Sequence, residues 1–253
     1  MTTKIKSTSP IGVFDSGLGG LTVLTSLEKS LPNENFIYFG DTAHVPYGNK
    51  SVDTVTRYCK NIMNFFLKHN AKAVVIACNT ASAVAYQKLQ TNYDIPLFDV
   101  VVPSVIHSET ISKTRQIGVI GTYSTIFSRA YTRSLKEINS DCSAVEVACP
   151  LFVPLIEEGW SDTSVAKDIT LSYMEPFQNT KMDTLILGCT HYPIMAKTIQ
   201  SVVGSHVKLV YSGETVGRKL FSYLKINRCK NESGASGKTR FYVTDFPQKF
   251  DEF

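Results

Sequence analysis

The sequence of 253 residues has no long hydrophobic run and no concentration of charge of one sign. No segment approaches the roughly 20 consecutive apolar residues of a membrane-spanning helix, so no membrane span is predicted. The lysines and arginines are scattered and the net charge is only +4, so we expect no nucleic-acid partner. The first six residues lead into no apolar stretch typical of a signal peptide, which predicts a cytoplasmic protein.

The six cysteines include no Cys-x-x-Cys pair, the spacing typical of a structural zinc site. Free thiols rather than three disulfides are expected, because a chain without a secretory signal usually keeps its cysteines reduced. A metal site built on Cys189 and His191 would need two further ligands, and none stands nearby in the sequence. We therefore predict no metal.

A short apolar run ends in a cysteine at residues 73–82, which read AVVIACNTAS. The run is typical of a buried parallel strand, and the small polar residues after Cys78 favour the start of a helix. Cys78 is therefore predicted at the carboxyl edge of a sheet, where α/β proteins bind ligands. We expect the free N–H groups of the helix start to lower the pKa of the Cys78 thiol.

The same design returns later in the chain, at residues 183–193, which read DTLILGCTHYP. Cys189 follows Cys78 by 111 positions, and a second pair of similar segments, 11–17 and 117–122, is offset by 106. These echoes predict two halves of one topology, each offering a cysteine to a shared cleft. Because strands alternate with helices throughout, we predict an α/β fold with mostly parallel sheets flanked by helices.

Three further segments have two possible interpretations each, one functional and one purely structural. The glycine turn at 15–21 is an incomplete dinucleotide fingerprint, or simply a turn that needs positive φ. The long loop at 40–48 is a candidate functional loop, although its Pro-Tyr-Gly is also typical of a β-turn. Glu157 is either a partly buried carboxylate with a partner or a solvated helix end.

Three boundaries complete the prediction. A strand at 97–102 is expected to end at Pro103, which also marks the crossover between the halves. A polar turn at 121–125 should precede a helix at 128–138. A second turn, at 212–215, should precede a helix at 216–224.

Two cysteines facing each other across a cleft favour one kind of chemistry. One thiolate suffices for a nucleophile, whereas a matched pair suits the removal of a proton from one face of a carbon and its return on the other. That reaction is racemisation, and it requires the two sulfurs to lie roughly 7 Å apart. Asp15 could hold a substrate ammonium or activate Cys78, and His191 could assist Cys189. The alternative is that each thiol is buried and inert.

The chain resembles the glutamate racemase family, within the cofactor-independent aspartate/glutamate racemase superfamily. The resemblance rests on FDSGLGG, GDTAHVPYG, ACNTAS, GTYST, PLFVPLIEEG and GCTHYP, in the family's order. It implies interconversion of L- and D-glutamate without a cofactor, to supply D-glutamate for peptidoglycan, with Cys78 and Cys189 as the acid/base pair. It implies a set of substrate contacts: Asp15, Ser16, Tyr47, Gly48, Asn79, Thr80, Thr190 and His191. Glu157 would support the histidine.

The resemblance also implies a domain arrangement and a homodimer. The second domain, residues 103–212, would be inserted into a first domain formed by 1–102 and 213–253. One departure is Tyr211, where relatives usually have an aspartate. Three alternative functions remain: an aspartate racemase, a single-cysteine decarboxylase of related fold, and a protein that binds an amino acid without chemistry.

Overall fold

The computed structural model describes residues 5–245, so the predictions that fall on residues 1–4 and 246–253 lie outside the described part. Two sheets form the framework, and every strand pairing in them is parallel. The first sheet contains β1 (Ile11–Asp15), β2 (Phe36–Gly40), β3 (Ala73–Ile76), β4 (Leu97–Phe98) and β9 (Thr239–Val243). The second contains β5 (Gln116–Gly121), β6 (Ser143–Ala148), β7 (Thr184–Gly188) and β8 (Lys208–Tyr211).

The strand order repeats between the sheets. The first sheet runs β4-β3-β1-β2-β9, and the second, read from its β8 edge, runs β8-β7-β5-β6. Each of the first four strands therefore has a counterpart four strands later, and β9 alone has none. The predicted α/β architecture with repeated halves is confirmed, and the two cysteine-bearing segments follow the equivalent strands β3 and β7.

Helices cover both faces of each sheet. They are α1 (Leu21–Ser30), α2 (Val52–Lys68), α3 (Asn79–Asn92), α4 (Val101–Ile111), α5 (Tyr123–Phe127), α6 (Ala130–Ile138), α7 (Phe152–Glu157), α8 (Ser164–Met174), α9 (Ala196–Val203) and α10 (Ser212–Ile226). Two hydrophobic clusters form on each sheet, one per face. This explains the continuous apolar runs of the central strands, because a strand buried on both faces has no polar side. None of the helices within residues 5–245 has the length and apolar character to cross a bilayer.

Matching glycines lie on the central strands β1 and β5. A Cβ atom on Gly12 would stand 2.6 Å from the Phe66 ring, and one on Gly118 would stand 2.1 Å from the Met182 sulfur. A side chain at either position would force Phe66 or Met182 to move, so glycine suits these strand positions, onto which a large side chain packs directly. The sequence echo between 11–17 and 117–122 thus has a packing reason.

The crossover differs from the prediction of a strand over 97–102. The strand β4 ends at Phe98, and helix α4 begins at Val101 with Pro103 in its first turn. Proline is accepted there because the first-turn N–H groups have no partner within the helix. The Asp99 carboxylate caps the helix by accepting the N–H groups of Val101 and Val102 at 2.8 and 2.7 Å.

Two further boundaries were predicted wrongly. The expected turn at 212–215 is the first turn of α10, which begins directly after β8. Tyr211 occupies the N-cap position of α10 and makes no side-chain cap bond. The helix expected at 128–138 is preceded by the separate helix α5, because Arg129 adopts a left-handed φ of 55° that breaks the run.

A buried ion pair fastens the edge of the first sheet opposite to the cysteines. The Lys72 ammonium contacts the Glu34 carboxylate and donates to the carbonyl oxygens of Ser7 and Cys229. The second Glu34 oxygen accepts the N–H of Asn231 at 2.7 Å. This one pair therefore joins the N-terminal segment, two loops of the first sheet and the segment that leads into β9.

We expect Lys72→Met to lower the free energy of unfolding by about 3–5 kcal/mol, because it leaves a buried carboxylate without its partner. Urea-induced unfolding of the purified protein measures the change. Lys88→Met is the matched control, since Lys88 lies 3.4 Å from Asp53 in an exposed pair and such pairs contribute little. Equal stability losses in the two variants would contradict the assignment.

Candidate functional site

The two cysteines line one cavity. Cys78 is the N-cap residue of α3, directly after β3, and Cys189 directly follows β7. The cavity wall consists of Ser16, Val45, Pro46, Tyr47, Gly48, Cys78, Asn79, Thr80, Thr122, Val153, Cys189, Thr190 and His191. Nine of the eleven residues predicted from the sequence are in this wall. The other two, Asp15 and Glu157, are not in the wall, but they contact Thr190 and His191 respectively.

Four residues of the wall were missed: Val45, Pro46, Thr122 and Val153. Only Thr122 had a signal in the sequence. It follows β5 just as Ser16 follows β1, so the echo between 11–17 and 117–122 places it at the equivalent strand end. The other three are apolar loop and helix residues, which no polar motif distinguishes.

Cys78 lies in the environment expected of a helix N-cap, but its acidity is not the expected one. The sulfur accepts the N–H of Ala81 at 3.5 Å and lies 3.8 Å from the Ser16 hydroxyl. Burial, and then the negative charge of Asp15, nevertheless raise the pKa of Cys78 to about 12. The prediction that the helix start would lower this pKa was therefore wrong, because desolvation of the thiolate outweighs the helix N–H groups.

Asp15 is fully buried beneath the glycine turn. Its carboxylate accepts the N–H of Gly17 at 2.9 Å and the hydroxyl of Thr190 at 3.3 Å. Burial raises the pKa of Asp15, whereas the positive charge of His191 and these hydrogen bonds oppose the rise. Asp15 therefore connects the first strand of one half to the cysteine segment of the other.

The glycine turn allows the two halves to approach closely. A Cβ on Gly19 would stand 2.4 Å from the His191 ring and 2.5 Å from the Thr190 hydroxyl. None of the turn glycines has a positive φ, so the alternative interpretation of a turn that needs positive φ is wrong. Across the same contact the Thr22 hydroxyl donates to the Thr190 carbonyl at 2.7 Å.

His191 stands between Cys189 and Glu157. Its Nδ1 lies 3.9 Å from the Cys189 sulfur, and its Nε2 lies 3.2 Å from a Glu157 carboxylate oxygen. Burial alone would lower the pKa of His191, but Cys189, Glu157 and the Asp15 charge together raise it to about 10. The raised pKa favours the imidazolium form of His191, and Glu157 is a partly buried carboxylate with a partner.

Hydroxyl and amide groups bridge the halves beside the cysteines. The Thr80 hydroxyl lies 2.9 Å from that of Thr122 in the other half. The Asn79 amide nitrogen donates to the Tyr131 hydroxyl at 2.8 Å and to the Ser212 hydroxyl at 3.0 Å. The Asn79 amide oxygen is buried and has no hydrogen-bond partner in the described part of the chain. A cavity lined by two thiols and several hydroxyls suits a small polar ligand rather than a large cofactor.

No group of three or more histidine, cysteine or acidic side chains within residues 5–245 is arranged to hold a metal ion. All six cysteines are free thiols. The cavity wall contains two thiols and an imidazole, and the carboxylates of Asp15 and Glu157 contact this wall.

Comparison with known proteins connects this geometry to one family. The glutamate racemase of Geobacter metallireducens is 45% identical over 240 residues, which cover 95% of this chain and 89% of that protein. A crystal structure of a glutamate racemase isoform from Bacillus anthracis matches with a TM-score of 0.94 at 34% identity, over 97% of this chain and 92% of that one.

A third relative has been solved with an amino acid bound. The crystal structure of glutamate racemase from Francisella tularensis in complex with D-glutamate matches with a TM-score of 0.91 at 38% identity, over 97% of this chain and 92% of that one. The sequence model of the Asp/Glu/Hydantoin racemase family matches residues 11–215. This chain therefore belongs to the Asp/Glu/hydantoin racemase family, and the three relatives compared above are glutamate racemases.

Proposed function

We propose that this protein interconverts L- and D-glutamate without a cofactor, with Cys78 and Cys189 as its two acid/base groups. The observation that carries the proposal is the placement of two thiols at equivalent strand ends on one cavity. The names of the relatives support glutamate as the substrate.

The reaction needs a base and an acid on opposite faces of the same carbon. One sulfur, as a thiolate, takes the Cα proton, while the other, as a thiol, delivers a proton to the opposite face. The roles exchange when the substrate has the other configuration. Each sulfur must then approach the carbon to about 3–3.5 Å, which requires a separation of roughly 7 Å between the sulfurs.

The charges around the two thiols differ. Burial and the negative charge of Asp15 favour the protonated form of Cys78, since both raise its pKa. On the other side of the site, the Nδ1 atom of His191 lies 3.9 Å from the Cys189 sulfur and can form a hydrogen bond with it. The Glu157 carboxylate, 3.2 Å from Nε2 of His191, favours the protonated imidazole. Each thiol therefore has its own charged neighbour, Asp15 for Cys78 and His191 for Cys189.

The remaining polar groups of the wall suit the charged ends of an amino acid. The Asn79 amide oxygen is a buried acceptor without a partner in the described chain, and an ammonium group would satisfy it. The N–H groups at the start of α3 and the hydroxyls of Thr80 and Thr122 suit a carboxylate. Asp15 is not in the wall, so we propose that it acts by holding Thr190 and the glycine turn rather than by binding the ammonium.

The product and location follow from the resemblance. We propose that the D-glutamate formed serves peptidoglycan synthesis and that the protein works in the cytoplasm, where six free thiols stay reduced. An aspartate racemase of the same superfamily is the second candidate function. It uses the same pair of thiols, so only the choice of substrate separates it from the first.

Hydrogen exchange at Cα tests the two-thiol reaction. In D₂O the wild type is expected to incorporate deuterium at Cα of glutamate while it racemises, because the returned proton comes from solvent. Cys78→Ala and Cys189→Ala are each expected to lower the racemisation rate at least about 10³-fold, since each removes an acid/base group. Mass spectrometry and polarimetry follow the two events, with aspartate as the parallel substrate.

Cys142→Ala is the matched control, because Cys142 is equally buried but lies outside the cavity wall, and it should keep the wild-type rate. Full racemase activity in either of the other cysteine variants would refute the two-thiol scheme. Binding of glutamate by the wild type without any exchange would instead identify a protein that only binds the amino acid.

The charge of His191 gives a second test, by nitrogen NMR of the histidine rings. At pH 8 the ring of His191 should still be protonated, whereas His107, whose pKa is lowered mainly by burial, should be neutral. A pKa that is higher in the folded than in the unfolded state has a definite effect on stability. The stabilisation from charged His191 is complete below about pH 6.5 and is lost as the pH rises through about 10.

The free energy of unfolding of the wild type, relative to His191→Gln, should therefore fall between pH 6.5 and 10. A neutral His191 ring at pH 8 would contradict the assignment of the imidazolium as the partner of Cys189.

A further inference from the structure

The first sheet has one strand more than its counterpart. Strand β9 lies beside β2 and pairs with it along its whole length, from Phe36↔Thr239 to Gly40↔Val243. The equivalent position beside β6 in the second sheet holds no strand within the described residues. No residue of β9 is in the wall of the cavity that holds Cys78 and Cys189, so any role of this strand at the site must be indirect.

The end of β9 reaches the loop that forms one wall of the cavity. This loop, residues 41–49, follows β2 and is called the wall loop below. Its residues from Val45 to Gly48 line the cavity. It contains only two 3₁₀ turns, at Thr42–His44 and Tyr47–Asn49, so no helix or strand ladder fixes its path.

Residues 244–245, directly after β9, supply the missing attachment. The Thr244 N–H donates to the Gly40 carbonyl at 3.1 Å, and the Thr244 hydroxyl accepts the N–H of Ala43 at 2.9 Å. The Asp245 N–H donates to the Thr42 hydroxyl at 2.9 Å, and that hydroxyl donates to the Asp245 carbonyl at 2.5 Å. The chain end is thereby tied to the first part of the wall loop.

Asp41 carries this attachment to the cavity. Its carboxylate is buried, and one oxygen accepts the Thr244 hydroxyl at 3.1 Å and lies 2.8 Å from Nδ1 of His44. The other oxygen accepts the Tyr47 hydroxyl at 2.5 Å. The Asp41 N–H donates to the Asp15 carbonyl at 3.0 Å. Asp41 therefore joins the end of β9 and the wall loop through its carboxylate, and it contacts the base of the site through its N–H.

Tyr47 receives this restraint directly. It is 1% exposed, and its hydroxyl is held from behind by Asp41 while the residue lines the cavity. The next residue, Gly48, touches the other half, where the Ser124 hydroxyl donates to its carbonyl at 2.7 Å. The position of Tyr47 and Gly48 thus depends on contacts at both ends of the wall loop.

We infer that Asp41 and Thr244 are positioning residues for the racemase site, and that the extra strand β9 holds the wall loop in place through them. Neither residue is in the cavity wall, so both act through Tyr47 and Gly48. The kinetic part of the inference rests on the proposed function, since it assumes that this wall contacts glutamate. A looser wall loop weakens substrate binding without removing either thiol, so KM changes more than kcat.

The test compares two threonines at opposite ends of β9. Thr239 is the first residue of the strand, and Thr244 directly follows its last residue. Thr244→Val removes the hydroxyl that joins Asp41 and Ala43, while Thr244→Ser keeps it. Thr239→Val is the matched control, because the Thr239 hydroxyl bonds Glu28 at the opposite end of β9. Amide hydrogen exchange by mass spectrometry reports the order of residues 41–49, and thermal unfolding reports overall stability.

In Thr244→Val we expect exchange to accelerate across 41–49, and KM for glutamate to rise about fivefold with kcat within about twofold, as loss of one modest hydrogen-bond link implies. Thr244→Ser should restore both values. Thr239→Val should leave both at the wild-type level. A general loss of stability would accelerate exchange and change KM in the Thr239→Val control as well, so the expected difference between the two variants separates the explanations.

Unchanged exchange of residues 41–49 in Thr244→Val would overturn the inference, and so would faster exchange with an unchanged KM. Equal effects of Thr239→Val and Thr244→Val would overturn it as well. A wild type without racemase activity would refute the proposed function instead, and the exchange experiment would then decide the attachment of the wall loop alone.

Discussion

The structure depends on the close approach of the carboxyl edges of two all-parallel sheets, which share one strand order over four strands. Because the carboxyl ends of parallel strands share one edge, Cys78 after β3 and Cys189 after β7 occupy equivalent places. The approach is close enough that a single added methyl on Gly19 would collide with His191. Hydrogen bonds between the two halves, such as that from the Thr22 hydroxyl to the Thr190 carbonyl, hold the two edges together.

Repeated topology does not make the two thiols chemically alike. Cys78 is buried near the negative charge of Asp15, whereas the sulfur of Cys189 lies 3.9 Å from Nδ1 of His191. The charged residues thus differ between two halves whose strand order repeats, so the two thiols lie in different electrostatic surroundings.

Much of this arrangement could be predicted from the sequence, because its signals are local. An apolar run followed by Cys-Asn-Thr indicates a strand that hands over to a helix, and the repeat of that pattern indicates two halves. Pro103 misled the prediction, since it was interpreted as a strand end and lies in the first turn of α4. The glycines were linked to backbone φ, whereas packing against the other half explains Gly19.

What the sequence could not provide depends on burial and on contacts between distant segments. The raised pKa of Cys78 reflects desolvation, which has no local signature, and it reverses the effect expected from the helix start. Val45 and Val153 are ordinary apolar residues until the fold brings them to the cavity. The link from Thr244 to Asp41 joins residues about 200 positions apart, and no motif spans that interval.

Racemisation by two thiols requires a defined placement of two sulfur atoms around one carbon, which a crystal structure with glutamate bound would reveal. We expect Cα to lie between the sulfurs of Cys78 and Cys189, with the sulfurs on opposite faces and each about 3–3.5 Å from it. If both sulfurs lay on the same face of Cα, or if either were out of reach of it, the two-thiol reaction would be ruled out.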